Sequence, residues 1–267
     1  MPDRPVMTRL TDLEEFSLEL CGAAAEVAVP IFRAGCGHED KGIGAAFDPV
    51  TRADRAAEAV IRQKIAERFA HHGVIGEEYG EDRPDAEFVW IVDPIDGTRA
   101  FISGLPLWTT LIAVRRESQT VIGAVAAPAR GEVYLGGPSG AVCMRDGMRD
   151  MIRTRPCPKL ETATISTTDP ALFDSTQSGG WQQLRAATRL SRLGCDAYAY
   201  AMVAAGRMDL VAETGLQPWD WAAPMALVRA AGGAVTTWNG AEPAGESSVL
   251  AVGDPALLEP ARRLLTT

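Results

Sequence analysis

The chain has 267 residues, 46% of them hydrophobic, and a formal net charge of −9. That length supports one large domain or two lobes sharing a core, and an acidic balance without a basic run argues against a nucleic-acid partner. The histidines are His38, His71 and His72, so nothing beyond residue 72 supplies an imidazole. With no Gly-x-Ser-x-Gly motif either, a Ser-His-Asp triad and a zinc site with several histidines are poorly provided for. Cys21, Cys36, Cys143, Cys157 and Cys195 are scattered without Cys-x-x-Cys spacing, which favours a reduced, cytoplasmic protein. No apolar stretch reaches spanning length, and "MPDRPVMTRL" lacks the apolar core of a signal peptide, so no membrane partner is expected.

In chain order, residues 11–29 are predicted as a helix, with a capping box of Thr11 and Glu14. Pro30 is expected to kink or end it. Residues 35–48 are Gly-rich and charged and predict a loop. A second helix runs from Thr51 to about Phe69. Val74–Ile75 and Phe88–Val92 predict short strands, and Thr110–Arg115, Val121–Ala126 and Glu132–Leu135 an antiparallel meander. Residues 144–162 are polar, and a lobe boundary is placed there. The second half alternates: a strand in "TATIST", helices over Gly180–Ala187 and Ala197–Ala205, and a strand in "MDLVAE". A helix over Trp219–Ala231, a strand over Ser248–Val252 and a helix over Pro255–Leu265 follow. This order predicts an α+β N-terminal lobe, 1–145, and an α/β C-terminal lobe, 146–267.

"WIVDPIDGTRAF", from Trp90 to Phe101, ends a buried strand in two aspartates. Pro94 fixes φ and stiffens the link between Asp93 and Asp96. Gly97 allows close backbone approach, and the amides of Gly97 and Thr98 are placed to meet an anion. Carboxylates beside an anion cradle call for a divalent cation between them, and an oxygen-only donor set selects a hard one. The plainer alternative makes Asp96 a helix cap and Asp93 a solvated strand end. Glu77-Glu78 end another strand in "VIGEEYG". Asp220 in "PWDWAAP" starts a helix, where a negative charge is favourable in its own right. Asp54, three residues after Thr51, fits a capping box. Trp221, Met202, Met208 and Met225 are expected in the core.

Taken together, "DPVTRAD", "GEE", "WIVDPIDGT" and "WDWAAPMALVRAAGG" resemble, in order and spacing, the inositol monophosphatase superfamily of magnesium-dependent, lithium-sensitive phosphomonoesterases. The resemblance covers nearly the whole chain. It implies an α/β fold, a two-lobed layered αβαβα sandwich of the inositol monophosphatase / fructose-1,6-bisphosphatase type, with the site between the lobes at the strand ends. It implies two to three Mg²⁺ ions per active site. Glu77, Asp93 and the carbonyl of Ile95 would hold the first, and Asp93, Asp96 and Asp220 the second. Glu77 and Thr98 would orient and deprotonate the attacking water. Asp54, counted with the catalytic residues, and Lys41 lie where the family's mobile metal-gating loop lies. Gly97, Thr98, Asp196, Glu213 and Asp220 would contact substrate.

Such chemistry is self-consistent. Two cations can polarise a phosphate monoester, acidify a bound water and stabilise the leaving alkoxide without a phospho-enzyme. "GTRAFISGLPLWTTLIAV", "LGCDAYAYAMVAAGRMDLVAE" and "GLQPWDWAAP" look most like the histidinol-phosphate phosphatase branch. Arg99-Ala100-Phe101 stands where inositol phosphatases usually carry Thr-Asn-Phe, and Asp196 where they carry a small residue. Asp196 and Glu213 would complement the ammonium and imidazole of histidinol, while Asp196 equally fits a helix cap. The expected activity is that of a phosphoric monoester hydrolase in histidine biosynthesis, taking a small phosphorylated metabolite and acting as a homodimer. Alternatives are inositol-1-phosphate or 3′-phosphoadenosine 5′-phosphate as substrate, and a non-catalytic role in transcription complexes.

Overall fold

The computed structural model describes residues 9–35, 38–40 and 49–267, with the side chains of 38–40 and 49–51 apart. Lys41 and Cys36 lie outside the described residues. The chain opens with α1 (Leu10–Ala34), a short antiparallel pair β1 (His38–Asp40) and β2 (Pro49–Thr51), and α2 (Arg52–Arg68). Then come β3 (Gly73–Gly76), β4 (Gly80–Asp82), β5 (Phe88–Asp96) and the five-residue α3 (Thr98–Ile102). A meander follows through β6 (Thr109–Arg116), β7 (Gln119–Ala127), β8 (Glu132–Gly137), β9 (Gly140–Arg145) and β10 (Met148–Met151). The remainder is β11 (Thr164–Thr167), α4 (Ser175–Ala187), β12 (Leu190–Leu193), α5 (Asp196–Ala204) and β13 (Leu210–Leu216). It closes with α6 (Pro218–Ala230), β14 (Ala234–Thr237), β15 (Ser247–Val252) and α7 (Leu258–Leu265).

Two mixed sheets result. One has eight strands in the order β10-β9-β8-β7-β6-β5-β3-β4, the other five in the order β12-β11-β13-β15-β14. The alternation of side chains along β5 assigns its faces. Trp90 and Val92 pack with Leu13, Phe16 and Ile61 of α1 and α2. Val89 and Ile91 pack with Tyr200 of α5 and Leu227 of α6. Val211 of β13 shares that second core, so α5 and α6 lie between the sheets. Leu210 and Ala212 face the other way, onto Trp181 of α4 and Leu265 of α7. Helix, sheet, helix, sheet and helix layers follow in turn, the layered α/β sandwich that the sequence predicts.

The structure corrects several of these expectations: α1 follows Arg9 with no side-chain cap, and Glu14 accepts from Ser139 instead of forming a capping box with Thr11. Pro30 lies inside α1, which continues to Ala34. Its last turn is held by Phe32, whose ring sits 5.3 Å from that of Phe101 and 5.5 Å from that of Trp108. Packing offsets the one hydrogen bond that proline removes. The polar stretch after residue 144 does not end the first sheet: β9 and β10 form an antiparallel hairpin about Asp146-Gly147. Every residue of β10 is exposed, so this edge strand carries no apolar pattern. Met225 lies in the core and Met202 and Met208 pack against it. Trp221 is buried and donates its indole N–H to the carbonyl of Gly245. No helix among the described residues is long and apolar enough to cross a membrane.

Candidate metal and phosphate site

In a regular strand, residues three apart point to opposite faces. Asp93 and Asp96 escape that rule through a β-bulge. Asp93 pairs with Leu111 and Asp96 with Thr109, three steps on β5 against two on β6. The extra residue turns both carboxylates to the face that looks at α5 and α6. Pro94 has no N–H to give the ladder, and its carbonyl accepts from the Thr110 hydroxyl at 2.8 Å. Ile95 points the other way, fully buried with Phe101 and Trp108.

Asp93 is 2% exposed, and its Oδ1 is buried without a hydrogen-bond partner among the described residues. It is no solvated strand end. Asp96 is no cap of α3 either, for that place is taken by Gly97, at φ +80. Asp96 Oδ2 instead accepts from the Thr109 hydroxyl at 2.9 Å and from the backbone N–H of Ala197 at 2.8 Å. It thereby caps the first turn of α5 from the other sheet's strand end. Asp196 does not cap α5: it is the first helical residue, after an N-cap at Cys195, and has no cap bond. Its φ is +44. A Cβ on Gly97 would lie 3.1 Å from Asp196 Oδ2, so this carboxylate rests against the Asp96–Thr98 turn.

The remaining candidates arrive from separate elements. Glu77 follows β3, which runs parallel to β5, and its N–H is bonded to the Val92 carbonyl at 3.2 Å. Asp220 sits in the first turn of α6, with Oδ2 accepting the N–H of Gln217 at 2.7 Å. Its cap role and a role in the site are compatible, since Oδ1 carries no hydrogen bond among the described residues. Asp54 is buried in the first turn of α2, close enough to raise the pKa of both Glu77 and Asp93. Thr98 donates its hydroxyl to the Ile95 carbonyl at 3.1 Å. Glu213, on the inner face of β13, accepts from Thr167 and Thr168 hydroxyls at 3.1 and 3.0 Å and from the Thr168 N–H at 2.7 Å. Arg99 is half-exposed at the rim and pairs with Asp169 at 3.3 Å.

Burial first, and then mutual repulsion, lifts these acids. Glu77 is pushed up to about 8 by desolvation and by Asp220, Asp54 and Glu78. Asp93 is held well above the carboxylate range by burial and Glu77, and Asp96 by burial and Asp196. Burial takes Asp220 to about 6 and Glu213 to about 8, and raises Asp196. Such a cluster is unstable as a set of anions and calls for positive charge.

Among the described residues no three His, Cys, Asp or Glu side chains stand ready-assembled as a metal shell. Asp96 and Asp220 instead each turn one oxygen onto a backbone amide. Oxygens remain to offer: Asp93 Oδ1, and the second oxygens of Asp96 and Asp220, none of which carries a hydrogen bond among the described residues. All-oxygen donors with no thiolate or imidazole fit a hard cation such as Mg²⁺.

The sequence reading passed over several supporting residues. Glu58 of α2 is fully buried and accepts from the N–H groups of Glu78 at 2.8 Å and Tyr79 at 3.2 Å. It fixes the turn that carries Glu77. A Cβ on Gly76 would come 2.1 Å from Glu58 Oε1, so glycine is required there. The signal was available: Glu58 lies four residues after Asp54, and Arg62, its partner at 2.7 Å, four further on. Thr109, Thr110 and Thr168 gave no such signal. A larger cleft of about 610 Å³, between α4, the β14–β15 connection and the C-terminus, shares none of these residues.

Residues 9–265 match the model of the inositol monophosphatase family. The chain is 36% identical over 247 residues to the bifunctional phosphatase IMPL2, chloroplastic, of Arabidopsis thaliana, covering 91% of this chain and 70% of that one. It is 35% identical over 193 residues to a histidinol-phosphatase of Chlorobaculum parvum, covering 72% and 73%. An inositol monophosphatase structure from Zymomonas mobilis superposes with a TM-score of 0.85 at 34% identity, covering 97% of this chain and all of that one. The chain therefore belongs to the inositol monophosphatase family of metal-dependent phosphomonoesterases.

Proposed function

We propose that this protein hydrolyses L-histidinol phosphate to L-histidinol and phosphate with Mg²⁺ and an activated water. The observation that supports the reaction class most directly is the bulge on β5, which aims the buried Asp93 and the half-buried Asp96 into one cluster with Glu77 and Asp220. Glu77, Asp93, the Ile95 carbonyl, Asp96 and Asp220 would hold the ions. Once bound, Mg²⁺ supplies charge for the phosphate and the leaving oxygen and acidity for a water.

The chain's own residues do the rest. Glu77, whose carboxyl pKa is held high by burial and neighbouring acids without metal, would be ionised beside a bound cation and placed to take a proton from the water. Thr98 gives its own proton to the Ile95 carbonyl, so its oxygen is left to accept one and orient the water. Asp54 adds a further carboxylate near Glu77 and Asp93. The Gly97 turn lets phosphate oxygens approach the backbone.

Substrate choice rests on the rim. Asp196 and Glu213 add carboxyl groups beyond the metal set that a bound ammonium would hold ionised, which matches an amino alcohol better than a neutral polyol. The histidinol-phosphatase among the relatives supports the same choice, and the inositol monophosphatase among the solved structures keeps inositol-1-phosphate as the second reading. By analogy with the family we propose a homodimer. Phosphate release from about a dozen monoesters with Mg²⁺ tests the assignment. Histidinol phosphate should give the highest kcat/KM, and a clear preference for inositol-1-phosphate overturns the substrate.

A further inference from the structure

Tyr200 lies one helical turn after Asp196 on α5, so the two side chains share a face. The residue is 2% exposed, and its hydroxyl is buried without a hydrogen-bond partner among the described residues. Buried hydroxyls are nearly always paired, and an exception calls for an explanation. A phenylalanine would fill the same apolar surroundings without leaving an orphaned group.

Tyr200 lines a small pocket of about 20 Å³ together with Asp96, Thr168, Asp196, Glu213 and Asp220 among others. That volume holds about one water-sized group. Four of the eight lining residues are acids, and burial, with the charges of Glu213, Asp96 and Asp220, holds Tyr200 well above the usual phenol range. Tyr200 thus stays a neutral phenol, with lone pairs to accept and one proton to donate. Asp96 and Asp220 belong to the proposed metal set. Asp196 and Glu213 do not, and the group that suits them carries positive charge and several N–H donors.

We propose that the Tyr200 hydroxyl accepts a hydrogen bond from a protonated primary amine on the leaving alcohol, completing an ammonium subsite with Asp196 and Glu213. This rests on the reading of the substrate as an amino-alcohol phosphate. It goes further in assigning the subsite to the amine and in naming a neutral acceptor that distinguishes an ammonium from a bare charge. Tyr200 is on this reading a specificity residue.

The test compares L-histidinol phosphate with its deamino counterpart, the phosphate of 3-(imidazol-4-yl)propanol, on wild type and Tyr200→Phe. Calorimetric binding of L-histidinol is the readout apart from turnover. Wild type should prefer the amine-bearing ester. Tyr200→Phe should reduce that preference about ten-fold, through KM, and weaken L-histidinol binding to match. An undisturbed melting temperature shows that the variant folds. If wild type keeps its preference and Tyr200→Phe shares it in full, or if both esters suffer equally, the hydroxyl serves only packing or a buried water and the inference is overturned. If wild type itself shows no preference for the amine, the histidinol reading falls first, whatever the variant does.

Discussion

At the residue scale the site is defined by what each acid lacks. Asp93 has a buried oxygen with no hydrogen-bond partner among the described residues, and it sits among other acids. Asp93→Asn should lower phosphate release by about a thousand-fold or more, the equivalent of several kcal/mol of charge stabilisation. The same change should raise the melting temperature of the metal-free protein, because a repelled buried charge is removed. Full activity in the variant would end the metal assignment. Thr98→Ala should cut kcat by roughly 10²–10⁴-fold with little change in KM. A change confined to KM would make Thr98 a phosphate clamp instead. Asp196→Asn keeps the shape and loses the charge. It should raise KM for histidinol phosphate about ten-fold or more relative to inositol-1-phosphate, the loss of one charge-assisted hydrogen bond. Equal effects on both esters would remove Asp196 from substrate recognition.

At the element scale the bulge in β5 is the device on which the cluster depends. Its geometry is held by a side chain on the neighbouring strand, Thr110, bonded to the Pro94 carbonyl. Thr110→Val keeps the volume and deletes that bond, which should cost about 1 kcal/mol of stability. It should also weaken Mg²⁺ activation about ten-fold, as loss of a supporting contact does at metal sites. Unchanged Mg²⁺ dependence in a titration of activity would show that the bulge stands without Thr110. The bulge also marks where sequence reading stops. Periodicity shows that Phe88–Val92 is a strand, and Pro94 shows that something interrupts it. Only the partner strand's register tells that the interruption turns Asp96 to the side of Asp93. The acids of the site were legible because each ends a strand or opens a helix. The threonines and the Ala197 amide that hold them were not, because a hydroxyl or a backbone N–H carries no pattern of its own. The β9–β10 hairpin could have been found from Asp146-Gly147, a strong two-residue turn signal, but the exposed β10 offered no apolar alternation to support it. The start of α4 was missed in the same way. The Asp174 and Gln177 capping box lies ahead of Gly179-Gly180, and the glycines masked it.

At the scale of the whole molecule the cluster sets how stability follows pH. Glu77 and Glu213 have folded values of about 8 against ordinary values of 4.5. Below about pH 4.5 both are protonated in folded and unfolded chains alike. Between there and pH 8 the unfolded chain ionises while the folded one resists, so unfolding releases protons and stability falls as pH rises. The metal-free protein should therefore melt higher at pH 5.5 than at pH 8. Mg²⁺, which binds the ionised form, should restore more at pH 8 than at pH 5.5. Melting scans with chelator and with Mg²⁺ at the two pH values check this. A melting temperature that is flat with pH in chelator would mean that the acids ionise freely in the folded state.

Asp196 adopts a left-handed backbone conformation, φ +44. Glycine adopts it freely, asparagine and aspartate tolerate it, and most other residues resist it. The choice of side chain at this position of the proposed substrate site is thus made from a very short alphabet before any substrate is considered. Of its three letters one is charged, one polar and neutral, and one empty. A directed-evolution library at position 196 should therefore recover few folded solutions, and those few would sort by the charge of the alcohol they accept. Altering the backbone first, by moving the start of α5, would be the way to admit a longer residue there.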